Sequence, residues 1–431
     1  LTMARKMKDS GIEWIGEIPE GWRTINPKAL FTQRKDKAQK GERQLTSSQQ
    51  YGILYQDDYM ELTGSKVVTV EKDFDILKHV EAGDFVISMR SFQGGLEYST
   101  KSGAISSAYV MLVPNLELVY PRFYRWLLKS SVYIDALQRT TNMVRDGQAM
   151  RYSNFAQVRL FTLPLDEQKS RADFLDLECS SIDKILFKTR SSIEEYKKLK
   201  QTVITQAVTK GVRGEREMKD SGVEWIGEIP KEFNPVQLKF FCKLITDGTH
   251  FSPTTVENGW PYITAGDVHG IGLDYNSAKR ISEEDFQLLV AQGCQPLKGD
   301  VLLVKDGATT GRVGFVDSDT PCVILSSVAM LRPADNADGH YLMYLLASDF
   351  LQKQILVSMA GSAMPRTTLT KLTKYIGLLP PLHEQKEIAN YLDAKCAEID
   401  KLIAKKEQLV KELESYKKSL IYEVVTGKRE V

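Results

Sequence analysis

The chain has 431 residues, room for two to four domains at roughly 100 to 200 residues each. Hydrophobic residues at 42%, charged residues at 26% and 15 prolines are an ordinary globular composition and exclude a largely disordered or collagen-like chain. Lys and Arg (57) balance Asp and Glu (56) to a net charge of +1, so a DNA-facing surface would have to be a local patch. The cysteines, Cys179, Cys242, Cys294, Cys322 and Cys396, are scattered and form no C-x-x-C pair. That argues against a disulfide framework or a zinc ribbon and fits a reducing cytoplasm. No apolar run reaches the roughly 18 to 20 residues of a membrane helix, and no apolar stretch follows the basic opening, so neither export nor membrane insertion is expected.

In chain order, the first feature is the run MKDSGIEWIGEIP from Met7 to Pro19. A basic stretch from Arg34 to Arg43 follows and reads equally as a phosphate contact or a solvated loop. Asp84 to Met89 and Ala108 to Leu112 have strand character, and Arg122 to Leu137 reads as a helix. Two polar, Gly-bearing loops stand among them, Ser88 to Gly95 and Arg145 to Arg151. Leu163-Pro164-Leu165-Asp166-Glu167-Gln168 then opens a long helix to about Lys210, with Leu175, Ile182, Tyr196 and Val203 as its apolar stripe and Ile185 and Leu199 on a second one. Arg171, Glu178, Thr189 and Ser192 interrupt the seam, so this helix needs a partner for burial.

The opening run then returns with a single Ile to Val change, Met218 to Pro230, and shows the chain to be a tandem repeat. In the second copy Trp260 to Thr264, Asp300 to Lys305 and Cys322 to Met330 read as strands and Tyr341 to Leu356 as a helix. The Gly-rich stretch Gly307 to Gly314 runs from strand to strand, which suits a hairpin and not a phosphate cradle. Leu379-Pro380-Pro381-Leu382-His383-Glu384-Gln385 opens the last helix, about 43 residues without Pro or Gly and roughly 64 Å long. Its heptads place Leu392, Ile399, Leu413 and Leu420 on one stripe and Leu402 and Leu409 on another. The resulting layout is a globular domain over 7–165, a long helix over 166–211, a second globular domain over 218–382 and a second long helix over 383–427. The class is α/β (α+β). Near-identical ends imply one job done twice, and divergent middles imply two different jobs on one scaffold.

No P-loop, nucleophile elbow, zincin motif or adenine-methyltransferase signature is present, so the chain is expected to carry no active site, cofactor or metal of its own. Function is expected in the loops. Arg and Gln can pair with guanine and adenine edges, while Lys, Ser and Thr can hold phosphates. The candidates for DNA contact are Arg90, Ser91, Gln93, Arg145, Gln148 and Arg151 in the first copy, and His250, Lys305, Thr309, Thr310, Arg312 and Arg366 in the second.

The whole chain resembles the DNA specificity subunit of type I restriction-modification enzymes. The carriers are the W-I-G-E-I-P runs at Trp14 to Pro19 and Trp225 to Pro230, Asp247-Gly248-Thr249-His250, Gly259 to Ile263, Lys298 to Leu302 and, most specifically, Leu379 to Gln385 with Ile388 to Asp393. The first copy departs from the pattern with Asp166 in place of His383 and one proline fewer. The resemblance implies two target recognition domains, each reading half of a split site on double-stranded DNA, with a pseudo-two-fold arrangement about two helices paired as an antiparallel coiled coil. It also implies two methyltransferase subunits carrying S-adenosylmethionine, and restriction subunits using ATP and Mg. Half-sites one DNA turn apart, roughly 34 Å, would lie on one face of the duplex. Two alternatives remain at this point: a coiled-coil scaffold that binds no DNA, and the specificity component of a restriction system with another subunit plan. Whether the helices pair within one chain or between two also stays open.

Overall fold

The computed structural model describes residues 5–70, 74–89, 91–140, 150–359 and 365–431. The chain forms two compact units, one of residues 1–190 with 408–431 and one of residues 191–407. Each therefore holds one globular domain and part of both long helices, α1 (Leu165–Lys210) and α2 (Leu382–Val425). The division between the units falls within both long helices. Among the described residues no helix is long and apolar enough to cross a membrane.

The first unit is built on a sheet of β1 (Phe31–Arg34), β2 (Phe85–Ile87), β3 (Glu97–Tyr98) and β4 (Val110–Pro114), ordered β1-β4-β2-β3 and antiparallel throughout. Its two middle strands, β2 and β4, are apolar through their centres because both faces are covered. Phe85, Ile87 and Leu112 pack into the main core, while Val86 and Met111, on the other face, pack with Leu45, Ile53 and Ile105. The second unit repeats the plan with β5 (Cys242–Asp247), β6 (Val301–Val304), β7 (Val313–Phe315) and β8 (Val328–Pro333), ordered β5-β8-β6-β7. Val301 and Leu303 face the main core there, and Leu302 and Val304 a smaller one. The hairpin expected around Gly307 to Gly314 is the β6–β7 connection.

Each helix expected behind the sheet is broken once, and by the same chemistry. In the first unit it divides into Pro121–Leu127 and Ser131–Arg139, with the Ser130 hydroxyl donating to the Leu127 carbonyl at 2.7 Å. In the second it divides into Gly339–Ala347 and Asp349–Ser358, with Ser348 donating to Leu345 at 2.6 Å. A serine that bonds back to the preceding turn competes with continuation of the helix.

The repeated ends are two copies of one device. Met7–Asp9 pairs with Glu17–Pro19 and Met218–Asp220 with Glu228–Pro230 in the same register. Gly16 and Gly227 close these hairpins at φ +72° and +73°, a conformation that only glycine takes cheaply. The Glu-Gln pair opening each long helix is an anchor. The buried Gln168 side chain accepts from the Tyr120 amide (2.7 Å) and donates to the Leu118 and Leu163 carbonyls (both 2.9 Å). Gln385 does the same with the Asp338 amide (2.8 Å) and the Asn336 and Pro380 carbonyls (both 2.9 Å).

Within each unit the two helix segments run in opposite directions, as their ion pairs show, the second unit adding Arg213 just past α1 on Glu387 at 2.8 Å. Asp183 meets Lys417 at 2.6 Å and Arg190 meets Glu414 in the first unit; Lys200 meets Asp400 at 2.7 Å in the second. Leu175, Ile182, Leu392, Ile399 and Leu420 are buried as expected, and Tyr196, Val203 and Leu413 are half-buried. Leu402 and Leu409 are not on the seam: they stay 36% and 41% exposed. From Leu392 the α2 seam steps by four and then three, through Cys396, Ile399, Ile403, Val410 and Leu413. The sequence places Leu402 and Leu409 on a second stripe, and that stripe is the outer one. Arg171, an interruption in the heptad, is buried for a reason. Its guanidinium donates to the Val424 and Arg429 carbonyls at 2.8 and 2.9 Å, capping the end of α2, and pairs with Glu167. Burial pushes the Glu167 carboxyl up, but hydrogen bonds from Arg5, Arg171 and Trp22 outweigh it and hold the group at about 2.

The seam assignment has a direct check by thermal or urea unfolding. Ile399→Ala is expected to destabilise the chain by about 2–4 kcal/mol, the cost of a truncated core side chain. Leu402→Ala is expected to cost less than about 1 kcal/mol, because its side chain keeps contact with water.

Candidate nucleic-acid interface

In each unit one place gathers loop residues at a sheet end: the exit of the second or sixth strand, β2 or β6, beside the turn that leads into β4 or β8. In the first unit this is a cleft of about 640 Å³ with Met89, Tyr59, Lys66, Ser106 and Ser107 on its walls. Gln44 and Gln56 brace one side of it. The Gln44 amide group exchanges two hydrogen bonds with the Val70 backbone (2.7 and 2.9 Å), and Gln56 accepts from the Thr69 hydroxyl at 3.1 Å. Met89 is 46% exposed, so the cleft is neutral at its centre and carries its cation at the rim, on exposed Lys66.

In the second unit the equivalent place is filled by charge. The Lys305 ammonium lies 2.8 Å from Asp306 Oδ2 and 3.2 Å from Asp247 Oδ2. Arg366 Nε stands 2.9 Å from Asp306 Oδ1, and His250 Nε2 stands 3.9 Å from Asp247 Oδ2. The site depends on a close backbone approach at Gly248: a Cβ there would sit 1.9 Å from the Ile324 carbonyl oxygen. That approach lets Thr249 NH donate to Ile324 O at 3.1 Å and fixes the loop carrying His250.

These placements sort the residues expected from sequence. His250, Arg312 and Arg366 are exposed beside or near the second site, and Gln93 and Arg151 are exposed in the first unit. Ser91 is not a surface contact. It is buried, and its hydroxyl accepts from the Ser88 amide at 2.8 Å, closing the turn after β2. Lys305 is likewise buried, because two carboxylates enclose it. The half-buried Thr310 hydroxyl donates to Gly307 O at 2.7 Å, and Thr309 is half-buried, so both serve the turn. Arg312 lines a separate cleft of about 490 Å³ with Lys197 and Lys200. Arg90, Arg145 and Gln148 lie outside the described residues. Asp247, at the end of β5, and Asp306, just after β6, were not among the residues expected from sequence, because an acidic side chain in isolation repels phosphate. Among the described residues no group of three or more His, Cys, Asp or Glu converges in a way that could hold a metal.

Comparison with known proteins agrees with this layout. Residues 230–412 match the type I restriction modification DNA specificity domain. The chain is 26% identical over 362 residues to the type I restriction enzyme MjaVIII specificity subunit of Methanocaldococcus jannaschii, covering 81% of this chain and 80% of that one. It is 23% identical to the putative MjaX specificity subunit of the same organism, over 96% and 95% of the two chains. Its fold is similar to a chain from a structure of a type I R-M system (TM-score 0.71, 16% identity, covering 96% of this chain and 99% of that one). It is also similar to the HsdS subunit from Thermoanaerobacter tengcongensis (TM-score 0.50, 16% identity, 96% and 98%). The chain thus carries a stretch like the type I restriction modification DNA specificity domain, and along most of its length it is similar to type I restriction enzyme specificity subunits. The description of the matched domain is one of DNA specificity.

Gly248→Ala tests the local construction. It is expected to lower the melting temperature by several degrees, on the order of 1–3 kcal/mol for an overpacked backbone contact. Gly266→Ala, whose new Cβ would meet nothing closer than 3.6 Å, serves as the control with a much smaller effect.

Proposed function

We propose that the chain reads a two-part target on double-stranded DNA, one half-site with each globular domain, and that it does so inside a complex with methyltransferase and restriction subunits. One observation carries this reading: two units with the same sheet order and the same hairpin and glutamine anchors present different chemistry at the same place. The first unit has a neutral, cleft-bearing surface at Met89 where the second has a charged cluster at Lys305. A framework kept while the side chains at one surface diverge is what two separate readers of different base sequences require.

The ion pairs between helix segments in each unit support the finer architecture, an antiparallel coiled coil within one chain with pseudo-two-fold symmetry. Each unit also keeps an outer apolar row: Ile185, Leu409 and Tyr416 in the first, Leu199 and Leu402 in the second, all between 36% and 47% exposed. These rows favour docking of two copies of one partner, the methyltransferase subunit. S-adenosylmethionine and base flipping then belong to that partner, ATP and Mg to the restriction subunits, and the work is done in the cytoplasm. Of the DNA contacts expected from sequence, Gln93, Arg151, His250, Arg312 and Arg366 remain in this proposal.

Single-molecule methylome sequencing tests it, comparing cells that carry this gene and its methyltransferase partner with cells lacking only this gene. Methyladenine at a split motif is expected to disappear on deletion. A methylome unchanged by deletion would overturn the reading.

A further inference from the structure

The charged cluster of the second unit is built from the inside outwards. At its centre the Lys305 side chain is 4% exposed, and it donates to Asp306 Oδ2 at 2.8 Å while lying 3.2 Å from Asp247 Oδ2. The carboxylates form the next layer, with side chains 21% and 24% exposed. Outermost stand His250, 74% exposed, and Arg366, 60% exposed. Removing a cation from between two half-buried carboxylates leaves them facing each other uncompensated, and an approaching phosphate chain would add to that repulsion.

Backbone contacts fix Arg366 across from Asp306. The two residues form an antiparallel bridge, Thr367 NH donates to Lys305 O at 2.9 Å, and Gly307 NH donates to Pro365 O at 3.0 Å. The Thr310 hydroxyl donates to Pro365 O at 3.2 Å. The Arg366 Nε contact with Asp306 Oδ1 is an ion pair off the axis of a hydrogen bond, since the buried Oδ1 accepts none. Among the described residues the terminal guanidinium nitrogens of Arg366 donate to nothing. A guanidinium held by its inner nitrogen, with its outer edge open, matches the O6/N7 edge of guanine in the major groove.

Among the described residues the first unit shows no counterpart. With Met111 and Met330 as equivalent central residues of β4 and β8, Arg34 corresponds to Thr246, so exposed Lys35 corresponds to Asp247; Met89 takes the place of Lys305. We infer that Lys305 is a positioning residue of the second recognition site, holding Asp247 and Asp306 so that Arg366 presents its open edge to a guanine and determines specificity there. The inference rests on the half-site reading above and deepens it.

The test uses the full chain assembled with its methyltransferase subunits, and duplexes in which each base pair of the recognised motif is varied in turn. Arg366→Lys keeps the charge and loses the fork; it is expected to cut discrimination at one base pair of one half-site by about tenfold or more. Lys305→Met is expected to relax the same base pair, leave the other half-site intact and leave the salt dependence of binding unchanged, because Lys305 touches no phosphate. Asp247→Asn added to Lys305→Met restores charge balance and is expected to recover much of the discrimination, which a loss of packing would not allow. The inference is overturned if Lys305→Met keeps the wild-type profile, if it weakens both half-sites evenly, or if it lowers the salt slope by about one as a lost phosphate contact does. A wild-type profile from Arg366→Lys overturns it as well. Absence of any base preference in the wild-type complex would instead sink the half-site reading beneath it.

Discussion

Burial of one stripe of α2 against α1 is the constraint on which the rest of each unit depends. Neither helix carries an unbroken apolar seam, and a solitary amphipathic helix of this kind draws little stability from propensity alone. Pairing supplies what each lacks. The sheet domain is then hung on the pair by side chains that the helix starts provide: Gln168 and Gln385 tie down the strand ends and the turn before the next helix. Asp176 and Asp393 work about two turns further along, Asp176 taking Arg122 and Trp126 and Asp393 taking Tyr344 at 2.8 Å. The residues repeated at the start of each long helix are therefore those that join helix to sheet.

Such a joint leaves the far ends of the sheet free to change. In the first unit the exit of β2 opens onto a cleft with a methionine at its wall, and in the second the exit of β6 closes over a lysine. Both rest on strands buried on both faces, so the loops stand on rigid supports and their side chains set the surface chemistry. The buried lysine shows how charge enters such a surface without disorder. It neutralises the carboxylates of Asp247 and Asp306 and leaves His250 and Arg366 at the outside.

Much of this was legible in the sequence, because the repeat is a direct signal and its ends recur almost unchanged. The strands at Phe85–Ile87 and Val301–Val304 and the hairpin after Val304 followed from apolar runs and glycine placement. What escaped the reading was geometry that periodicity does not carry. Leu402 and Leu409 look like seam residues because leucine attracts a heptad, yet the seam takes Ile403 and Val410 one position on. Arg171 looks like a defect until the end of α2 supplies carbonyls for it. Lys305 and Ser91 look like surface contacts until the partners that bury them are brought in from distant sequence or closed by the turn.

Exchanging residues 20–162 for the corresponding segment of another specificity subunit, followed by methylome sequencing, tests the central claim most directly. Two independent readers on one framework predict a split motif with one half replaced and the other unchanged. A motif altered in both halves, with both units folded, would contradict separate reading.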